Sequence, residues 1–409
     1  MTETYTDVCV VGGGPAGLTL ALLLLRSGVR VAVMEKVSSL EREYRGEILQ
    51  PGGQALLHAL GVLDGARERG CHEHDRFLLQ ERGRVLIDGD YRRLPGPFNC
   101  LLSLPQRHLL EELLTQCRAH DGFEYLSATR CSALVEDTRQ RVRGALGRGP
   151  DGDVLVHAHR VVAADGRYSK VRRLAAIGYD RHDVFDQDVL WFRLPARGTA
   201  PREVRIFRAG GNPALAYASH PGAVQIGWTL PHGTYRELSA RGLDHIKEGL
   251  RAAVPDQAER IDEEITSFRD LSLLDVFSGI AREWARPGLL LIGDSAHTHG
   301  PIGAQGINLA VQDAVAAHPA LLASLRSGDD GALDRYAVLR RRDVRRVMRL
   351  QATQGRMMLS TGGLASVVRP RMAALVSRTP VYRKVLDQLA FGNRDITVRS
   401  ELFQRPVPR

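Results

Sequence analysis

Lysine is nearly missing from this chain: of 56 basic residues only Lys36, Lys170, Lys247 and Lys384 are lysine, the rest arginine. The formal charge of +9 is therefore carried by arginine. Its densest run, Arg340–Arg349 (RRRDVRRVMR), falls in a helical pattern with Leu339, Val344, Val347 and Leu350 as the apolar stripe. That periodicity describes a solvated helix face rather than a nucleic-acid patch, and no nucleic-acid partner is expected. Cysteine is sparse too. Cys9, Cys71, Cys100, Cys117 and Cys131 are odd in number, scattered and without a CxxC pair, which excludes a disulfide framework or a zinc site and fits reduced thiols in a cytoplasmic protein. Long hydrophobic runs are absent: Leu18–Leu25 stops at Arg26, and the start MTETYTDVCVVGGG enters a strand directly. Neither a membrane span nor a secretory signal is expected.

What is present begins at Asp7–Glu35, which reads as strand, glycine-rich turn, helix and second strand, with Gly12, Gly14 and Gly17 in the turn. Gly12 suits the sharp turn, Gly14 lets a pyrophosphate approach the backbone, and Gly17 lets helix pack on strand. Pro15 fits the first helical turn, whose free N–H groups and positive dipole end face the phosphates. Glu35 can accept both hydroxyls of an adenosine ribose, with Lys36 beside it as a further candidate contact. This is a dinucleotide site.

Two later segments narrow the cofactor. Arg160–Arg173 (RVVAADGRYSKVRR) is a strand ending at Asp165-Gly166 before a basic helix start; Gly288–Ala314 (GLLLIGDSAHTHGPIGAQGINLAVQDA) is a strand, Gly293-Asp294, a Pro/Gly loop and a helix opening near Gly306. An acid after the strand can bind ribityl hydroxyls, and the positive end of the next helix can stabilise a reduced flavin ring. Together the three segments resemble the FAD-dependent aromatic hydroxylases related to p-hydroxybenzoate hydroxylase. The resemblance implies non-covalent FAD, NADPH or NADH as co-substrate, and O2. It also implies Glu35 on the adenosine ribose, Arg107 near the FAD phosphates, Asp294 on the ribityl chain, and Pro301, Gly303, Gly306 and Asn308 along the flavin ring. Asp165 and Gly166 are associated with both FAD and NADPH. Arg45, in YRGEILQP, matches an arginine beside flavin and pyridine nucleotide. Arg45 and Pro301 are the catalytic candidates.

The implied fold is α/β: a Rossmann-like FAD-binding domain with an inserted mixed β-sheet substrate domain and C-terminal helices. Residues 1–72, 101–182 and 285–360 are expected to form the discontinuous cofactor domain, 73–100 and 183–284 the substrate sheet, and 361–409 a C-terminal helical segment. Helices are expected at Pro51–Leu60, Gln106–Ala119, Leu243–Ala253, Gln257–Glu264, from Leu309 to about Met358, and as a last pair between Leu364 and Ala390. Strands are expected across Phe77–Tyr91, Ala133–Val162, Val189–Leu194 and Val224–Leu230. The flavin ring then lies at the domain junction.

Such a flavin, reduced by NADPH, adds oxygen as a 4a-hydroperoxide and delivers it to an electron-rich substrate, so the cofactor carries the hard step. Tyr217, His220, His232 and His74 are candidate bases; His297 and His299 sit inside the flavin loop. Ala214–Leu230 contains no Arg or Lys, which disfavours a small benzoate held by a carboxylate clamp. A larger hydrophobic aromatic from secondary metabolism fits better, with Tyr217, Trp228 and Phe391 as wall residues. Gly46–Gly53 and Asp165–Arg172 also resemble squalene-epoxidase-type enzymes, which leaves epoxidation of an isoprenoid or prenylated substrate open. Flavin halogenation is disfavoured, because the tryptophans are isolated and no lysine lies between Lys36 and Lys170. An FAD protein that only binds a pathway intermediate is the non-enzymatic alternative.

Overall fold

The computed structural model describes residues 1–41, 47–81, 83–182, 187–198, 201–208, 212–359 and 379–404. The first strand, Thr2–Val11, runs parallel to Val31–Met34 on one side and to Gly152–Ala163 on the other. Phe123–Leu126 and Leu289–Leu291 extend this parallel core outward, Ala285–Arg286 closes one edge antiparallel, and the hairpin Arg130–Glu136 and Val142–Gly149 joins at Gly152–Ala163. Val8, Cys9 and Val10 are fully buried, as strands covered on both faces must be. Helices Gln106–Arg118 and Gly306–Ser327 both pack against Pro15–Arg26 beside this sheet.

A second, seven-stranded sheet has the order Ser272–Leu274, Gln187–Pro195, Ala223–Pro231, Ala214–Ser219, Glu203–Arg208, Arg76–Glu81, Arg84–Asp90. Its neighbours are antiparallel except Glu203–Arg208 with Arg76–Glu81, which are parallel. The fold class is thus the expected α/β arrangement with a mixed sheet. Alternation gives that sheet two apolar faces. Leu190, Phe192, Ala214 and Ile226 meet Ile246, Leu250 and Ile261 from helices Leu243–Ala253 and Ala258–Glu264. Val189, Trp191 and Tyr217 face Ile48, Leu101, Leu386 and Ala390, with Ile302, Ala304 and Phe391 packed alongside. This second face is the junction with the cofactor-side residues.

The helix after the Pro/Gly loop opens at Gly306, as the sequence suggests, and ends before Gly328, and a second helix spans Gly331–Leu359. Other elements differ from expectation. On the second helix Val344 of the expected stripe is buried, but Leu339 is 65% exposed and Arg340 only 2%, so arginine takes the inward position there, where it donates to Asp313. His297–Thr298, read as loop, is a strand paired with Ser278–Ala281. Of the expected last pair of helices, Pro380–Phe391 is seen; the segment from Leu364 lies outside the described residues. Ile396, Val398, Leu402 and Phe403 return to the main core, and the Gln404 N–H donates to the Arg26 carbonyl at 2.8 Å. No helix among the described residues is long and apolar enough to cross a membrane.

Candidate active site

Gly12 has φ +111°, and a Cβ there would stand 2.3 Å from the Ala164 carbonyl oxygen, so the first turn and the Asp165-Gly166 strand end touch backbone to backbone. A Cβ at Gly17 would lie 1.9 Å from the Gly12 carbonyl oxygen. Gly14 differs: it is extended, and a Cβ there would meet nothing within 4 Å. The helix Pro15–Arg26 that it precedes has no side-chain cap. An uncapped helix N-terminus facing open space beside a glycine is an anion cradle, and it fits the pyrophosphate of a dinucleotide. Glu35, 3% exposed, is aimed by hydrogen bonds to its Oε2 from the Gly13 N–H (2.7 Å) and to its Oε1 from the Val37 N–H (3.2 Å). Lys36 is exposed. Arg107 is committed to carboxylates, with Glu41 at 2.6 Å and Glu111 at 2.8 Å. Arg45 lies outside the described residues.

Asp165 was expected against both cofactors, but its carboxylate is filled by protein donors. Oδ1 accepts from Ser169 Oγ (2.5 Å) and Ser295 Oγ (3.0 Å), and Oδ2 from the Lys170 and Val171 N–H groups (2.7 and 3.0 Å). It starts the short helix Lys170–Leu174 and ties it to the Gly293-Asp294 turn; the Gly166 N–H (φ +84°) donates to the same Ser295 hydroxyl. Asp294 is in a different state. Its side chain is 30% exposed, and its one charged partner among the described residues is Arg167 Nε at 3.5 Å, leaving acceptor capacity for a bound hydroxyl.

Glutamine amides hold the loop between them. Gln351 Nε2 donates to the Gly300 and Ile302 carbonyls (3.2 and 2.6 Å), Gln50 Nε2 to the Gly303 carbonyl (2.9 Å), and Gln305 Nε2 to the carbonyls of Gly303 (3.1 Å) and Leu389 (2.9 Å). Gly303 has φ +75°, Pro301 is exposed, and the helix at Gly306 has no side-chain cap. A second uncapped helix N-terminus therefore faces outward from this loop. Asn308 was expected along the flavin ring, yet it is 1% exposed and its amide is used up beneath the loop. Oδ1 accepts from the Gln50 N–H (2.9 Å), and Nδ2 donates to the Ile48 and Ala304 carbonyls (3.3 and 2.6 Å). A short amide bonded to three backbone groups is a staple.

Behind the loop, Asp313 is fully buried and receives the Gly293 N–H (2.7 Å), His297 Nε2 (2.7 Å) and Arg340 Nε (2.6 Å). Burial alone would push its carboxyl up, but His297 and Arg340 outweigh that and hold it well below the usual range. Glu47 is another buried acid that sequence reasoning missed. Burial raises its carboxyl above the ordinary value against the opposing pulls of Ser219 and Arg193 (3.1 Å), both on the seven-stranded sheet. His74 is buried, which pushes its imidazole down to about 3 and keeps it neutral.

The three expected wall residues do not share one wall. Tyr217, 2% exposed, and Phe391 lie in the junction cluster, where Tyr217 meets Trp191 and His74 edge to face at 6.5 and 6.0 Å. Trp228 pairs with Ala214 and so points to the opposite face, under Gly249 of the covering helix. Trp191, whose strand alternation matched Tyr217, and the loop glutamines carried the missed signal.

The model of the FAD binding domain family matches residues 5–351. The chain is 63% identical over 407 residues to the 6-methylpretetramide 4-monooxygenase of Streptomyces rimosus, covering 99% of this chain and 96% of that one. It is 28% identical over 359 residues to the protoasukamycin 4-monooxygenase of Streptomyces nodosus subsp. asukaensis, covering 85% and 86%. Among solved structures, the p-nitrophenol 4-monooxygenase of Pseudomonas putida DLL-E4 superposes with a TM-score of 0.83 at 23% identity over 96% of this chain and all of that one, a likeness of fold.

Proposed function

The chain belongs to the FAD binding domain family and is an FAD-dependent monooxygenase, and from that premise we propose that it hydroxylates a fused-ring aromatic polyketide of the pretetramide type, consuming NADPH or NADH and O2. The observation that carries this reading is the 63% identity to a 6-methylpretetramide 4-monooxygenase across 99% of the chain, substrate sheet included. The apolar, aromatic-lined junction, with Trp191 and Tyr217 on the sheet and Phe391 opposite, supports a flat hydrophobic substrate over a small charged one.

Bound FAD supplies electron transfer from the nicotinamide to O2 and delivery of one oxygen atom into an aromatic C–H, the second leaving as water. The protein's share is positioning. The helix end at Gly14 would receive the pyrophosphate, Glu35 the adenosine ribose and Asp294 the ribityl hydroxyls, while the helix end at Gly306 would offer its positive dipole to the ring. Loop 300–305, fixed by Gln50, Gln305 and Gln351, shields the oxygenating site from water. Arg45 is assigned to nicotinamide recognition by resemblance.

The test is to incubate the purified holoenzyme with NADPH or NADH and 6-methylpretetramide-type polyketides, alongside prenylated compounds. Substrate-stimulated nicotinamide oxidation with a product heavier by one oxygen is expected for the polyketide. A phenolic product means hydroxylation and an oxirane means epoxidation. Binding without turnover would leave a passive FAD protein.

A further inference from the structure

Around the flavin loop several buried side chains leave one polar atom without a hydrogen bond, His297 Nδ1 and Gln351 Oε1 among them, but His299 leaves both of its ring nitrogens so. It is 6% exposed, and neither Nδ1 nor Nε2 has a protein hydrogen-bond partner of sound geometry among the described residues. Two unpaired nitrogens sealed from water are costly to a folded chain, so a native site that keeps them calls for a partner from outside the chain. The position says which. His299 lies between Asp294 and the Gly300–Gly306 loop, and Asp294 and Arg167 are among its electrostatic neighbours. Its ring stacks on that of His297 at 5.8 Å and 22°, and His297 is itself fixed by Asp313 at 2.7 Å. The imidazole is therefore backed by a rigid plane.

Burial holds the His299 ring down to about 4, so at working pH it is neutral, one nitrogen donating and the other accepting. A hydroxyl also both donates and accepts, and a row of hydroxyls is what Asp294 is placed to receive. We infer that His299 is a cofactor-holding residue whose neutral imidazole hydrogen-bonds the hydroxyl-bearing chain of FAD beside Asp294. This assignment rests on FAD occupying the site.

The experiment compares His299→Leu, which keeps bulk and deletes both nitrogens, with His299→Gln, which keeps a donor and an acceptor. FAD dissociation constants are measured by flavin fluorescence on reconstituted apoprotein, together with the melting temperature of each apoprotein. Expected is about tenfold weaker FAD binding for the leucine variant, no loss of apoprotein stability, and recovery of most of the affinity by glutamine. Unchanged FAD affinity in the leucine variant overturns the assignment. So does an apoprotein that melts earlier by as much as the affinity falls without rescue by glutamine, since a packing role predicts that. A wild-type protein that takes up no FAD would refute the cofactor reading instead.

Discussion

Asp313 accepts a 2.6 Å hydrogen bond from Arg340, 27 residues further along the chain, and both side chains are 2% exposed or less. Because the same carboxylate takes the Gly293 N–H, this pair sets the turn that presents Asp294. Asp313→Asn leaves Arg340 without its buried counter-charge and should cost about 3–5 kcal/mol in unfolding free energy. Denaturant titration of the apoprotein measures it. The Asp313 carboxyl is held below its unfolded value, so its contribution is present above the unfolded value of about 4 and is lost as pH falls from there through the lower folded value. The variant's stability should be flatter over that acid range than the wild type's.

Gly14→Ala and Gly17→Ala should separate binding from folding. At Gly14 the added methyl meets open space in the protein, so the apoprotein should melt as wild type while FAD affinity drops about tenfold or more, because the methyl stands where the phosphate approaches. At Gly17 the methyl would lie 1.9 Å from a backbone oxygen, so the fold itself should lose several kcal/mol, at or beyond the upper end of ordinary overpacking. Equal melting temperatures for the two variants would contradict this division.

Gln351→Ala removes both amide bonds to the Gly300 and Ile302 carbonyls, worth about 1 kcal/mol each. The loosened loop should leak: hydrogen peroxide released per NADPH consumed rises severalfold, while FAD occupancy stays near wild type. Measuring peroxide and hydroxylated product together reads the ratio. An unchanged ratio would remove the loop from any shielding role.

Tyr217→Phe and Trp228→Ala test the two faces of the seven-stranded sheet proposed to bind substrate. Deleting the Tyr217 hydroxyl leaves the junction packing intact and should lower kcat/KM about tenfold, as for one lost hydrogen bond to substrate. Trp228→Ala empties space under the covering helix and should cost about 2–4 kcal/mol of stability with KM unchanged. The reverse pattern would place the substrate on the wrong face.

The sequence made the cofactor side legible wherever chemistry is local. Gly12 to Glu35 needed only spacing, and the two uncapped helix starts followed from glycine and proline positions. It was silent where partners are remote. Nothing near Asn308 announces that Gln50, 258 residues away, takes its amide. Asp165 looks free in the motif and is saturated in the fold. The alternation across Ala214–Leu230 shows that two faces exist, but only strand register tells that Trp228 and Tyr217 are on different ones. Arg340 read as solvated because the buried Asp313 that turns it inward lies on the preceding helix.

The parallel pairing of Arg76–Glu81 with Glu203–Arg208 bears on how the chain comes into being. During synthesis the hairpin Arg76–Asp90 emerges long before its partner strand and must wait with an open edge, which non-local β pairing makes slow to close. Thr2–Val11 waits likewise for Gly152–Ala163. Neither sheet can be completed from a contiguous stretch of nascent chain, so cutting the gene between them should yield two insoluble halves. Yield in a host should follow how well chaperones guard those edges while the remaining strands are made.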